Sequence, residues 1–499
     1  MLRPLAGLLL CLSACSARGP ATTARASTTA DRTEAPAPPP VEVRGLEHIQ
    51  RTLGLLEQSQ AGGSREPVRV LFYGQSITQS AWSRSVEQTL RRRYPRADLQ
   101  IENRSLGGFP AQLLVKAAES DLYSAYPDLV IFHVYGDHLR YEDIVRRLRE
   151  RTTAELLLQT DHVTKPDELR EESDPHKLAP RADQWSAFMN GAFLPGLAAR
   201  YGAALCDQRG AWKRELSAHS LLPGALLLDE VHLNSLGDVL MASLVASCLR
   251  RAPAPAKAPA ESWVQTLEVG RDVSWSERGE LRLQFAGNRV DVVVRAGGTP
   301  LAVALDGARP STHAALYTFA RAHAREGGKW PPIYDLSTEL ADGARRMIET
   351  FTLEVQRVPS ASLAQAEPAT PAVYTFDVHS DQTGADGSGR SDTRFVSSSG
   401  RLVIDPEDWI VDYAFELAGQ RPAPARFTID LRVEPHFTDS VAPLPAATSG
   451  ERAITLAQGL TNGLHELRIT RAKGAAPSDA GDQVVALRVY RPPLDRSPH

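Results

Sequence analysis

The chain has 499 residues and a formal net charge of −4 at pH 7. A chain of this length can hold two or three domains with a sizeable apolar core. The near-neutral balance leaves no basic footprint for nucleic acid, and the one basic run, Arg91-Arg92-Arg93, is short enough to be the solvated end of a helix.

The N-terminus carries the pattern of an export signal. Its apolar run from Leu5 to Leu12 is too short to span a bilayer as a stable anchor. The run ends in Leu12-Ser13-Ala14-Cys15, which resembles a bacterial lipobox. That resemblance implies a lipoprotein signal over residues 1–15, a lipid on Cys15 and export to the cell envelope, with Ser16 favouring the outer membrane. An ordinary secretory signal, giving a soluble exported protein, is the alternative.

Residues 16–44 are rich in Ala, Thr and Pro and include Pro38-Pro39-Pro40. Such a composition cannot bury a core, so we expect a disordered tether.

From residue 45 to residue 250, strand-like and helix-like segments alternate, which predicts an α/β domain with a parallel sheet covered by helices on both faces. The predicted strands are 68–72, 98–102, 129–134, 155–159 and 203–206, and the predicted helices are 78–93, 110–120, 141–151, 183–200 and 235–249. A polar insertion at 163–182 would be a lid or a loop.

The first predicted strand ends in Tyr73-Gly74-Gln75-Ser76. A glycine lets the chain turn sharply there, which places Ser76 at the carboxyl edge of the sheet, where open α/β sheets bind ligands. A serine hydroxyl needs an adjacent base to act as a nucleophile. His232 would accept its proton, and Asp229, three residues earlier, would hold the imidazole in the right tautomer.

A simpler interpretation of Asp229 and His232 is a helix N-cap followed by a surface histidine. Asn234 or Ser235 offers a competing cap signal for the same helix. Ser76 could likewise be the N-cap of the helix that starts near Ile77.

Two further glycine-bearing strand ends lie between these segments. Asn103-Arg104-Ser105-Leu106-Gly107-Gly108 follows the second strand, and Tyr135-Gly136-Asp137-His138 follows the third. The four blocks, in this order, resemble the SGNH (GDSL-type) hydrolase family over roughly residues 66–250. The resemblance implies a flavodoxin-like domain and a Ser76-His232-Asp229 triad, with no metal or organic cofactor.

The family resemblance also implies an oxyanion hole that includes the backbone amides of Ser76 and Gly108. The family's side-chain donor is an Asn, which would align with His138. A neutral imidazole can still donate one N–H. Either His138 substitutes for that Asn, or the two amides act alone.

Three residues near this edge are candidates for substrate binding. Gln75 stands where the family usually has the Asp of Gly-Asp-Ser, and Asp137 lies in the third block. His162 follows the predicted strand 155–159 and could equally have a capping or core role.

A Pro- and Ala-rich linker at 251–262 precedes a region, 263–495, of short segments with period-2 alternation. This pattern predicts a β-sandwich. The segments 303–307 and 459–465 resemble jelly-roll modules that accompany carbohydrate esterases. We expect a large insertion at about 308–450, with helices at 311–324 and 337–348. Residues 383–392 are expected to be a flexible loop, with a calcium site as an alternative whose ligand spacing matches no known loop.

Two cysteines, Cys206 and Cys248, lie in apolar surroundings outside the signal. Export would permit a disulfide between them, and buried free thiols are equally compatible with the sequence.

These features together predict an exported serine esterase that removes acetyl or other short acyl groups from a glycan or a small ester. The alternatives are a glycan O-acyltransferase and a non-catalytic glycan-binding surface lipoprotein.

Overall fold

A computed structural model describes residues 39–62, 67–253, 262–336, 338–359, 372–445, 448, 450–471 and 483–495. The expected signal peptide with Cys15, the tether up to residue 38 and residues 254–261 of the linker lie outside the described residues. In the part of the chain that is described, no helix is long and apolar enough to cross a membrane.

The N-terminal region is an α/β domain built on one six-stranded sheet. Its strands are β1 (Glu42–Arg44), β2 (Val68–Gly74), β3 (Leu99–Asn103), β4 (Leu129–His133), β5 (Glu155–Gln159) and β6 (Ala204–Asp207). Its α-helices are α1 (Gln50–Ala61), α2 (Ser76–Gln79), α3 (Ala81–Arg93), α4 (Ala111–Ala118), α5 (His138–Arg151), α6 (Trp185–Phe188), α7 (Leu194–Tyr201), α8 (Gln208–Ala218) and α9 (Ser235–Cys248). Short 3₁₀ turns occupy Leu46–Ile49, Pro166–Arg170, Pro175–Lys177, Ala182–Gln184 and Pro223–Leu226, and π turns occupy Glu119–Tyr123 and Met189–Phe193.

The strand order in this sheet is β3-β2-β4-β5-β6-β1, and all neighbours are parallel except the edge strand β1. Counted by themselves, the five parallel strands follow the flavodoxin-like order 2-1-3-4-5. The predicted α/β fold is therefore confirmed. The strand order reverses beside β2, so the carboxyl ends of β2 and β4 flank the crevice in which such sheets bind ligands.

The sheet is buried on both faces, which explains why β2 contains the continuous apolar run Val70-Leu71-Phe72-Tyr73. Successive side chains of β2 alternate between two cores. Val70 and Phe72 join the core formed with α1, α3, α8 and α9, whereas Leu71 and Tyr73 join the core formed with α4, α5 and α7. Helices α1 and α8 are absent from the sequence-based prediction because few apolar side chains mark their buried faces.

The region after residue 262 is mainly antiparallel β-structure. Its strands are β7 (Val264–Glu268), β8 (Glu280–Val294), β9 (Leu301–Leu305), β10 (Tyr317–Phe319), β11 (His323–Ala324), β12 (Thr350–Arg357), β13 (Tyr374–Ser380), β14 (Gly384–Arg390), β15 (Phe395–Val396), β16 (Val403–Ile404), β17 (Arg426–Pro435), β18 (Ser440–Val441), β19 (Arg452–Arg471) and β20 (Val484–Tyr490). Helix α10 (Val411–Leu417) and 3₁₀ turns at Pro310–Thr312, Ala314–Leu316 and Pro406–Asp408 accompany them.

The described residues of this region form two large sheets, each with its own apolar core. One has the order β18-β9-β19-β8-β20-β7. The other has the order β10-β17-β12-β13-β14, with β11 also paired to β17, and a β15–β16 ribbon beside it. The expectation of antiparallel sheets in this region is thus confirmed. The segment expected as an insertion, 308–450, supplies the whole second sheet, which we call the inserted sheet.

Three local predictions within the inserted sheet are wrong. Residues 311–324 form 3₁₀ turns and strands rather than a helix, because alternate side chains such as Tyr317 and Phe319 pack into the sheet core. Residues 338–348 are irregular. The expected loop at 383–392 contains β14, in which Gly389 leaves room for the rings of Phe376 and Phe395.

A disulfide joins Cys206 in β6 to Cys248 at the end of α9, with 5.9 Å between the two Cα atoms. Of the two alternatives that the sequence leaves for these cysteines, the structure therefore shows the disulfide. The bond ties the last helix of the α/β domain to its sheet.

Candidate active site

The turn after β2 places Ser76 at the sheet edge. A Cβ added to Gly74 would lie 2.0 Å from the carbonyl oxygen of His133 in β4, so only glycine fits there. Gln75 is the N-cap of α2, and its carbonyl oxygen accepts hydrogen bonds from the amides of Thr78 and Gln79. Ser76 is thus the first residue of the helix rather than its cap, and a backbone amide at this position has no partner within the helix.

Ser76, His232 and Asp229 form one hydrogen-bonded chain. The distance from Ser76 Oγ to His232 Nε2 is 3.0 Å, and His232 Nδ1 lies 2.8 Å from Asp229 Oδ2. A carboxylate at Nδ1 favours the tautomer with a proton on that nitrogen, which leaves Nε2 free to accept the serine proton. The arrangement has the geometry required for an activated serine nucleophile.

The loop around Asp229 is organised by that carboxylate. Its Oδ1 accepts hydrogen bonds from the amides of Val231 (2.8 Å) and His232 (2.7 Å). Burial opposes ionisation, but these amides and the His232 ring hold the pKa of Asp229 below its usual range. Asn234, rather than Asp229, caps α9 by accepting from the amides of Leu236 and Gly237. The capping alternative for Asp229 therefore does not hold.

His162 supports the same loop from below. It is only 3% exposed, its Nε2 donates to the Val231 carbonyl oxygen at 2.8 Å, and its ring packs against Trp212. Burial lowers its pKa to about 4, so the ring is neutral near pH 7. This burial beneath the loop fits the core role that the sequence left open for His162, and its contact with substrate stays a prediction.

The predicted Gly107-Gly108 block forms a tight turn beside Ser76. The amide of Phe109 donates to the Leu106 carbonyl oxygen at 3.1 Å, and Gly108 has φ of +81°, as in the third position of a type II turn. A Cβ on Gly107 would lie 3.6 Å from Ser76 Cβ. No acceptor for the Gly108 amide is present among the described residues. We call residues 106–109 the donor turn.

The remaining predicted residues lie around this edge. Asp137 is the N-cap of α5, and its Oδ1 accepts from the amides of Leu139 and Arg140, so this carboxylate already has partners. Gln75 is half-buried next to Ser76.

His138 lies at the start of α5 in a cluster of aromatic rings. It makes edge-to-face contacts with Trp185, Phe188 and Phe193, at centroid distances of 5.4, 5.5 and 5.4 Å. The structure gives it no hydrogen bond to the triad. Its role as oxyanion donor stays a prediction.

The site is open to solvent. The side chains of His232 and Asp229 are 46% and 53% exposed. Exposed apolar side chains, Leu228, Leu236 and Val239, lie on the loop and on α9 near the triad. Among the described residues, no group of three or more His, Cys, Asp or Glu side chains is placed to hold a metal ion.

Two contacts at the donor turn are absent from the sequence-based prediction. Trp330 and Tyr413, both from the region after residue 308, donate to the carbonyl oxygens of Gly107 and Gly108. They are 223 and 305 residues away along the chain from these glycines. No local motif could have marked them.

No protein-family model and no curated protein matches the chain. Among solved structures, it is similar to a two-domain esterase active on acetylated mannans, with 14% identity, 91% of this chain and 96% of that chain covered, and a TM-score of 0.32. It is also similar to an acetylxylan esterase from Geobacillus stearothermophilus (18% identity, 37% and 95% covered, TM-score 0.30). A third is an α/β hydrolase from the metagenome of Lake Arreo, Spain (21% identity, 37% and 97% covered, TM-score 0.30).

Proposed function

We propose that this protein is a serine esterase that removes acetyl or other short acyl groups from a carbohydrate. The observation that carries the proposal is the hydrogen-bonded chain from Ser76 Oγ through His232 to Asp229. A serine paired with a base that is itself oriented by a carboxylate is the arrangement for acyl transfer.

The reaction proceeds in two halves. Ser76 Oγ adds to the acyl carbon while its proton passes to His232 Nε2, and the carbonyl oxygen becomes an oxyanion. His232 then protonates the departing alcohol, which leaves an acyl group on Ser76. A water molecule, deprotonated by His232, then attacks this acyl group, and the imidazolium returns the proton to Ser76 Oγ as the acyl–Oγ bond breaks and the carboxylic acid leaves. Asp229 stabilises the imidazolium in both halves without itself becoming protonated.

The exposure of the triad supports both the hydrolytic outcome and the polymeric substrate. With His232 and Asp229 about half exposed, water reaches the acyl-enzyme freely, which favours hydrolysis over transfer to a sugar hydroxyl. An open site also admits an acyl group attached to a long glycan. The complete triad argues against a purely glycan-binding role.

Export and lipid anchoring through Cys15 belong to the same proposal. The lipobox-like Leu12-Ser13-Ala14-Cys15 supports it, and so does the disulfide, since such bonds persist in oxidising compartments. In a bacterial host, radiolabelled palmitate should enter the full chain but not its Cys15→Ala variant. Equal labelling of both would contradict lipidation at this cysteine.

The esterase proposal is tested by hydrolysis of an aryl acetate. The parent should hydrolyse it and should be labelled by an alkyl fluorophosphonate. Ser76→Ala should lose both properties with an almost unchanged melting temperature, because Ser76 lies at the open edge of the sheet. Ser80→Ala, which removes a serine hydroxyl from the adjoining helix turn, is a weaker control for both properties. Full hydrolysis by Ser76→Ala would end the proposal, and acyl transfer to acceptor sugars in preference to water would favour the transferase.

A further inference from the structure

Two side chains from residues 308–450, the segment that supplies the inserted sheet, hold the donor turn in place. Trp330 Nε1 donates to the Gly107 carbonyl oxygen at 2.8 Å, and the Tyr413 hydroxyl donates to the Gly108 carbonyl oxygen. Both donors are half-buried and pack against the core of the α/β domain. The turn beside Ser76 is therefore bonded from a region outside the domain that carries the triad.

The Trp330 bond falls on the peptide whose orientation the turn itself leaves undecided, and the Tyr413 bond falls on the next peptide, between Gly108 and Phe109. The turn's own hydrogen bond joins the Phe109 amide to the Leu106 carbonyl and leaves the central peptide, between Gly107 and Gly108, without a bond of its own. The orientation of this central peptide is what distinguishes a type I from a type II turn. With glycine at both central positions, side-chain sterics do not select either orientation.

A donor to Gly107 O selects one of them. In a planar trans peptide, the carbonyl oxygen of Gly107 and the N–H of Gly108 point in opposite directions. A hydrogen bond that fixes the oxygen therefore also fixes the direction of the N–H. The bond from Trp330 thus sets where the Gly108 amide points.

Packing from α10 restricts the same turn. A Cβ on Gly108 would lie 2.5 Å from Leu417 Cδ2, and the rings of Phe109 and Tyr413 are in contact at 6.0 Å between centroids. On the side of α2, the side-chain amide of Gln79 donates through Nε2 to the carbonyl oxygen of Ser105, just before the turn. The turn is held between α2, which begins at Ser76, and α10.

We propose that Trp330 and Tyr413 are positioning residues: Trp330 holds the 107–108 peptide and Tyr413 holds the 108–109 peptide, so that the Gly108 amide donates to the oxyanion formed at Ser76. This inference rests on the proposed esterase function. It also gives the region 308–450 a role in the reaction. Neither side chain contacts the reacting atoms in this scheme, because both act through the backbone of the turn.

The test uses two conservative variants of the full chain. Trp330→Phe and Tyr413→Phe each remove one donor and keep an aromatic ring in place. For aryl acetate hydrolysis, kcat should fall by ~10–10²-fold, as expected for a misplaced oxyanion donor. KM should change by less than about twofold, because the amide acts mainly in the transition state.

Asp408→Asn is the matched control. Asp408 pairs with Lys116 of α4 across the same interface, but it does not contact the donor turn. This variant should lower the melting temperature and leave kcat unchanged. A fall in kcat for Asp408→Asn as large as for Trp330→Phe would mean that the interface acts only as a structural support, and it would overturn the inference.

A crystal structure of Trp330→Phe gives a readout besides activity. We expect the 107–108 peptide to rotate or to take two orientations. An unchanged peptide together with parental kcat in both aromatic variants overturns the positioning role, while Ser76-dependent hydrolysis by the parent leaves the esterase proposal standing. A parent that neither hydrolyses the ester nor reacts with the phosphonate overturns the esterase proposal and, with it, the catalytic role of the turn.

Discussion

At the scale of single residues, the carboxylate of Asp229 has two tasks. One oxygen accepts from two backbone amides and shapes the loop, while the other accepts from His232 Nδ1. The amides and the ring lower its pKa against the opposing effect of burial. A carboxyl group with a lowered pKa stays ionised as the pH falls through its ordinary value. The partner of His232 therefore remains charged throughout the range in which esterases are normally assayed.

Asp229→Asn separates charge from shape. The amide oxygen can still accept from the loop backbone, but an amide group that donates to His232 Nδ1 stabilises the wrong tautomer. We expect turnover of an aryl acetate to fall by ~10⁴, as in Ser-His-Asp enzymes generally. Glu230→Gln, a charge change at the exposed neighbouring position, is the control and should keep parental turnover. Comparable losses in the two variants would assign the effect to loop charge instead of the tautomer.

At the scale of elements, the loop that carries His232 depends on a neutral histidine beneath it. The His162 ring is buried and donates to Val231 O, and its pKa of about 4 lies below the ordinary value of 6.5. Between these two pH values the unfolded chain binds a proton that the folded chain does not. The contribution of the neutral His162 ring to the unfolding free energy is therefore fully present above pH 6.5 and decreases as the pH falls toward 4.

A comparison with His162→Gln isolates this contribution. Glutamine can still donate to the Val231 carbonyl oxygen but does not titrate. Between pH 6.5 and pH 4, the parent should lose about 3 kcal/mol more unfolding free energy than the variant. Denaturant unfolding at a series of pH values measures the difference. Parallel pH dependences of the two proteins would show that this ring titrates normally.

The same scale shows what the sequence could predict. The sequence alone predicts Ser76, Asp229 and His232, because each is marked by a local signal: a strand end or a pair of residues at short spacing. In contrast, 311–324 has the Ala-rich composition of a helix, yet pairing with β17 and burial of Tyr317 and Phe319 favour strands. Trp330 and Tyr413 reach the donor turn through tertiary packing alone, and a single sequence carries no pattern for such contacts.

At the scale of the whole molecule, the region after residue 262 does not merely follow the α/β domain in the chain but also bonds to its polar groups. Arg321 donates two hydrogen bonds to the buried carboxylate of Asp121. Burial raises the pKa of Asp121 above its usual value, and the Arg321 guanidinium offsets part of that shift. In the other antiparallel sheet, Asn288 accepts from the Tyr126 hydroxyl and Gln458 donates to the Ser124 carbonyl oxygen. Both antiparallel sheets thus satisfy polar groups of the α/β domain.

A chain that ends after residue 253 should therefore be a poor esterase, although it keeps the entire triad. It would expose the apolar face now covered by Trp330, Tyr413 and Leu417 and leave Asp121 without its cation. We expect a lower melting temperature by circular dichroism, stronger binding of an apolar dye, and a kcat no higher than that of the Trp330→Phe variant. The full chain carrying Arg282→Ala, which removes an ion pair between Glu280 and the exposed Arg282 in the other antiparallel sheet, should behave like the parent. A truncated chain with parental melting temperature and kcat would show that the α/β domain is self-sufficient and that the antiparallel sheets serve a separate purpose.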